Sequence, residues 1–135
     1  MEKLKRITIW PACLVGIFIA GLSMAQPGET YMTVAQAQKK FGKTAFDAAK
    51  FKAGDRKTKG EMAADLVLKK TFVGKPLKSV TELLGSPDGY FENDAVPAYI
   101  ISADVTRKDT WQIIFLPDKD WEKVDEVKIH KNCCN

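Results

Sequence analysis

Hydrophobic and polar positions along this chain follow three successive rhythms. From Ile7 to Leu22 the residues are mostly apolar and show no period, behind a basic head of Lys3, Lys5 and Arg6. From Val34 to Leu84 apolar residues recur at helical spacing, and from Tyr99 to Ile129 they largely alternate with polar ones. A continuous run, a 3.6-residue period and a two-residue period predict an apolar leader, amphipathic helices and half-buried strands in that order.

The helical part divides at its glycines and prolines. Thr33-Val34-Ala35-Gln36 has the form of a capping box, so a short helix is expected to Phe41, with Gly42 as its stop. Thr44 is expected to cap a second short helix carrying Phe46, Ala49 and Phe51 and ending near Gly54. The polar stretch Asp55 to Gly60 reads as a loop. A longer helix is then expected from Glu61 to about Thr71, because Met62/Leu66 and Ala63/Val67 are i,i+4 pairs on one side. Gly74-Lys75 turns the chain and Pro76 suits the first turn of the next helix. In that helix Leu77, Val80, Leu83 and Leu84 form one apolar stripe, and Gly85 and Pro87 end it.

The alternating part predicts strands. Tyr99, Ile101, Ala103 and Val105 share one face, and beyond an Arg107-Lys108-Asp109 turn so do Trp111, Ile113 and Phe115, with Gln112, Ile114 and Leu116 opposite. Pro117-Asp118-Lys119-Asp120 makes the next turn, and Val124, Val127 and Ile129 mark a last strand. Tyr90-Phe91 suggests a short edge segment. The fold class expected is α+β, with two helices on one face of a three- to four-stranded antiparallel sheet in α-α-β-β-β order.

The apolar leader changes the picture of location. Its 16 apolar-rich positions are interrupted by Pro11, Gly16 and Gly21, short of the roughly 20 residues that span a bilayer. With Ser23-Met24-Ala25 ahead of Gln26 it has the parts of a cleaved export signal, residues 1–25, cut after Ala25. Cys13 lies before most of the apolar run, so it is not placed to accept a lipid. The expected divisions are this signal, a leader over 26–58, a compact domain over 59–131 and a cysteine-bearing tail over 132–135.

The 135-residue chain has 21 basic and 17 acidic residues. Without Lys3, Lys5, Arg6 and Glu2 there remain 18 and 16, a net charge of +2. That is too small to indicate nucleic acid as a partner. Around Lys119-Asp120 and Glu122-Lys123 the signs alternate, as on a solvated face.

Gly74-x5-Val80-x2-Leu83-Leu84-Gly85-x-Pro87-Asp88, preceded by Met62-x2-Asp65-Leu66 and followed by Tyr99 and a hairpin, resembles the SmpA/OmlA (BamE-like) domain family. More widely it resembles small exported proteins with the fold of β-lactamase inhibitory protein. The resemblance covers about residues 46–130. It implies an exported module of the cell envelope, at the outer membrane, that works by protein-protein interaction without catalysis. Gly74, Val80, Leu83, Leu84, Gly85, Pro87 and Tyr99 are then residues of the fold. The family's lipoproteins carry an acceptor cysteine at the end of the signal, where this chain has Ala25-Gln26, and often Ser or Thr where it has Pro76.

Candidate chemistry is sparse. His130, Cys133 and Cys134 are weak candidates for a metal or thiol function, since a closed zinc site wants four ligands and no second Cys/His pair exists. His130 is expected to be an exposed strand-end histidine. Asp118, Asp120 and Glu122 alternate like calcium-loop ligands, but Lys123 holds the glycine position and Ile129 the glutamate position. No nucleophile elbow, phosphate loop or histidine triad can be assembled, so neither an enzyme nor a cofactor is expected. Candidate contact residues are Trp121, Tyr90, Phe91, Arg107 and Lys108, of types that often anchor interfaces. Trp111 alternates with core positions. An envelope protein partner is expected; a soluble inhibitor or small-ligand binder, or a thiol or metal function of the tail, is the alternative.

Overall fold

The computed structural model describes residues 31–103 and 109–132. Their order is β1 (Tyr31–Met32), α1 (Val34–Phe41), α2 (Ala48–Ala53), α3 (Arg56–Leu68), α4 (Leu77–Leu84), β2 (Ala98–Ser102), β3 (Trp111–Pro117) and β4 (Val124–Lys131). The strands form one antiparallel sheet in the order β1-β4-β3-β2. The α+β class holds, with additions at the N-terminal side. No helix among the described residues is long and apolar enough to cross a membrane.

The capping box at Thr33 forms as its residue types dictate: the Thr33 side chain accepts from the Gln36 N–H and the Gln36 side chain from the Thr33 N–H. The second helix is capped by Asp47 instead of Thr44, because Asp47 Oδ1 takes the Lys50 N–H at 2.9 Å while the Thr44 N–H is bonded to the Glu61 carbonyl. Asp55 to Gly60, expected as a loop, is mostly helix. Asp55 accepts the Thr58 N–H at 2.8 Å and so starts α3 five residues before Glu61. Gly60 lies where α3 meets β2: a Cβ there would stand 3.0 Å from the Ile101 carbonyl oxygen, a contact tight enough that the strand would have to give by a few tenths of an ångström.

Residues 31–54 are not separable from the domain. Phe46, Phe51, Tyr99, Phe115 and Phe72 form a closed circuit of edge-to-face pairs, with ring centroids between 5.4 and 6.0 Å apart. Such pairs add about 0.5 to 1.5 kcal/mol each to their burial. Two members come from the expected leader, and the Phe46 N–H is held by Asp65 Oδ2. The boundary expected near residue 58 therefore runs through a shared core.

The core lies between the helices and one sheet face, where Tyr99, Ile101, Ile113, Phe115, Val127 and Ile129 are buried. Ala103 is exposed rather than in phase with them, and Val105 lies outside the described residues. In α4, Val80 and Leu84 are buried but Leu83 is 46% exposed. The stripe is thus narrower than its spacing suggests. Gly74 and Gly85 adopt positive φ, 81° and 85°, at the turn and at the stop. Pro76 precedes the helix as its cap position, Pro87 is exposed, and the Tyr99 hydroxyl donates to the Gly85 carbonyl at 2.7 Å.

The second sheet face was expected to meet solvent. Instead Gln112 and Ile114 are fully buried there, because the chain between α4 and β2 folds back over them. The Gly89 N–H bonds the Ala98 carbonyl, and Asp88 Oδ1 accepts the Ile100 N–H, so this segment also covers the outer edge of β2. On the opposite edge, β1 pairs with Ile129 and His130 while Lys75 and Gly74 bond Val124. Between those two coverings, 125–128 pair with no outer strand among the described residues.

Candidate interaction surface

Trp121 stands at the β3–β4 turn, and that turn is unusually well tied. Asp118 Oδ1 accepts the N–H groups of Glu122 at 3.0 Å and Lys123 at 3.3 Å. The Trp121 N–H bonds the Asp118 carbonyl, and the Asp118 N–H bonds the Lys123 carbonyl. The Glu122 backbone donor, above all, holds the Asp118 carboxyl below its ordinary value. From the other side the Leu77 N–H bonds the Glu122 carbonyl at 2.8 Å, and the Val124 N–H bonds the Lys75 carbonyl at 2.9 Å.

This frame holds Trp121 at φ 58° with 48% of the residue exposed. A bulky L-residue in the left-handed region costs about 1 to 2 kcal/mol. Trp121 lines two open depressions. One, of about 470 Å³, is lined by Pro76, Leu77, Thr81, Ala95, Pro97 and Glu122 among others. The second, of about 310 Å³, has Val96, Leu116 and Pro117 among Glu92, Asp118, Asp125 and Glu126, with Lys119 at its side.

The other candidates divide. Tyr90 is 55% exposed, its hydroxyl donating to the Glu92 carbonyl. Phe91 is half-buried, its ring edge-on to His130 at 4.8 Å. The pair forms no strand: Phe91 makes only an isolated bridge with Asn93. Arg107, Lys108, Cys133 and Cys134 lie outside the described residues. Trp111 is half-buried against the core, its Nε1 donating to Asp109.

His130 is not the exposed strand end expected of it. Gln112 Oε1 accepts the Tyr90 N–H and Gln112 Nε2 donates to the Tyr90 carbonyl, which fixes the amide's orientation. The second Nε2 hydrogen then points to His130 Nδ1 at 3.1 Å, so that nitrogen is an acceptor and the ring is neutral. Burial lowers the histidine's affinity for a proton. The sequence signal for this cluster was a glutamine inside the apolar run Trp111 to Leu116. Among the described residues no group of three or more His, Cys, Asp or Glu side chains is placed to hold a metal ion.

Charge alternates only locally. Residues 39–59 hold eight basic and two acidic side chains, whereas residues 116–126 hold five acidic and two basic. No protein-family model, curated protein or solved structure matches the chain.

Proposed function

We propose that this chain is an exported, non-enzymatic protein-interaction module of the cell envelope, of the SmpA/OmlA kind, and that it holds its partner at the Trp121 turn. The observation that carries this is a half-exposed indole borne on a strained backbone position, in a turn hydrogen-bonded from both sides. A turn whose backbone is already held in place loses little main-chain freedom on binding, which favours an aromatic contact residue carried on it. The positive φ of Gly74 and Gly85 and the buried Tyr99 support the family reading. The leader through Ala25 supports export, and the engagement of His130 by Gln112, Phe91 and Tyr31 supports a structural use of that histidine.

A photo-crosslinking residue placed at 121 in living cells should give one discrete adduct with an envelope protein. The same residue at exposed Leu68 should not. Equal adducts from both positions, or none from 121, would overturn the proposal. Because Ala25-Gln26 replaces the lipid-acceptor junction, a freely soluble inhibitor of the same fold is the second reading. Fractionation separates the two, since tight membrane association excludes it.

A further inference from the structure

We infer that the partner presents a lysine- or arginine-bearing segment to the Trp121 turn, with the basic side chain in the depression on the Leu116 side and an aliphatic one on the Leu77 side. This rests on the Trp121 reading above and names the chemistry of its partner.

The depression on the Leu116 side combines an apolar floor, Val96, Leu116 and Pro117, with the indole and four carboxylates: Glu92, Asp118, Asp125 and Glu126. Asp118 is committed to the turn and Glu126 meets Lys128 at 3.1 Å. Glu92 and Asp125 make no ion pair among the described residues, and Asp120 and Glu122 add charge beside them. One lysine, Lys119, lines the same depression. A long basic side chain matches this surface along its whole length. Its aliphatic stem covers the apolar floor, and its cationic end meets the carboxylates and the indole face. An acidic segment would be repelled there.

The depression on the Leu77 side is different in kind. Pro76, Leu77, Ala95 and Pro97 line it, with Lys78 and Glu122 opposite in sign, so it selects for shape and apolarity rather than charge. Acidic residues outnumber basic ones five to two along 116–126, so the segment that carries Trp121 attracts a cation at short range.

The test is selection of random 12-residue peptides on the purified protein, in parallel with Trp121→Ala and with the double variant Asp125→Asn, Glu126→Gln. Urea unfolding first confirms that both variants fold. Expected is a set of peptides that need Trp121, that carry Lys or Arg near an aliphatic residue, and that bind the double variant at least about tenfold more weakly, the difference shrinking with salt. Peptides that need Trp121 but show no excess of basic residues would overturn the cationic partner and leave the Trp121 site standing. Peptides indifferent to Trp121, or none retained, would overturn both. Displacement of the basic peptides by spermidine at equal concentration would assign the depression to free polyamines and overturn a protein segment.

Discussion

Replacing Gln112 by leucine tests how the second face of the sheet is held. The glutamine is fully buried in β3 and makes three hydrogen bonds: from the Tyr90 N–H at 3.1 Å, to the Tyr90 carbonyl at 2.7 Å and to His130 Nδ1 at 3.1 Å. Leucine fits the volume and favours burial, but it leaves both Tyr90 backbone groups and Nδ1 without partners. Each lost bond is worth about 1 kcal/mol, and each unsatisfied buried group costs about 1 to 3 kcal/mol. Against these stands about 1 to 2 kcal/mol of added apolar burial. Since Tyr90 is close to solvent and recovers some bonds with water, the net loss should be about 2 to 4 kcal/mol. Urea unfolding at pH 7.5 (about 1 to 3 kcal/mol per molar in slope) reads it directly. The same experiment against pH carries a second signature. With His130 held neutral in the fold, the unfolded chain binds its proton more readily, so stability is complete above about pH 6.5 and declines as pH falls from there toward the lower native value. The groups facing the ring are Gln112, Phe91, Tyr31 and Lys128, whose Nζ lies over the Tyr31 ring, and none of these supplies an anion. Gln112→Glu should reverse the slope, because a carboxylate stabilises the imidazolium. A Gln112→Leu protein within about 1 kcal/mol of the parent, or an unchanged slope in Gln112→Glu, would refute this account.

Trp121→Gly should be more stable than Trp121→Ala by about 1 kcal/mol, the reverse of the usual order, because only glycine accepts φ 58° without strain; urea midpoints decide, and both should bind partner equally poorly. Gly60→Ala should destabilise by about 1 kcal/mol or more, although alanine normally favours a helix, since its Cβ would press on the Ile101 carbonyl. Thermal unfolding measures it, and a gain in Tm would show that α3 can retreat. Tyr99→Phe should cost about 1 kcal/mol through the lost bond to the Gly85 carbonyl, seen as a lower urea midpoint with unchanged slope. Asp65 and Asp109 are lowered first by the Phe46 N–H and by Lys40 respectively. Their stabilisation is present above the ordinary aspartate value and is lost as pH falls through the acid range, which acid titration followed by circular dichroism should reveal.

What was legible in the sequence and what was not follow from how each feature is specified. The capping box, the 74–85 interval and the alternation around Ile113 and Phe115 are local, and local chemistry enforces them. The helix start at Asp55 is hidden because lysine, threonine and glycine after it look like loop residues. A glycine inside α3 fits the close approach of Ile101, a contact distant in sequence. The role of Gln112 needed the return of residues 88–91 across the sheet, a long-range event without a period. Trp121 was singled out by residue type, but its strained backbone and the depressions beside it come from bonds to Leu77 and Asp118 that no spacing announces.

The segment that crosses the second face has a further consequence for how the molecule survives among its neighbours. By spending Asp88 Oδ1 and the Gly89 N–H on Ile100 and Ala98, it leaves β2 with little to offer a strand from another molecule. The other edge has no outer strand over 125–128 among the described residues, and there the chain places Asp125 and Glu126, exposed charges that resist burial between sheets. A concentrated solution should therefore resist growth of sheet into fibres from either side. Losing the Asp88 carboxylate removes one of the two bonds that close the β2 edge, so Asp88→Ala opens that edge to a strand from another molecule.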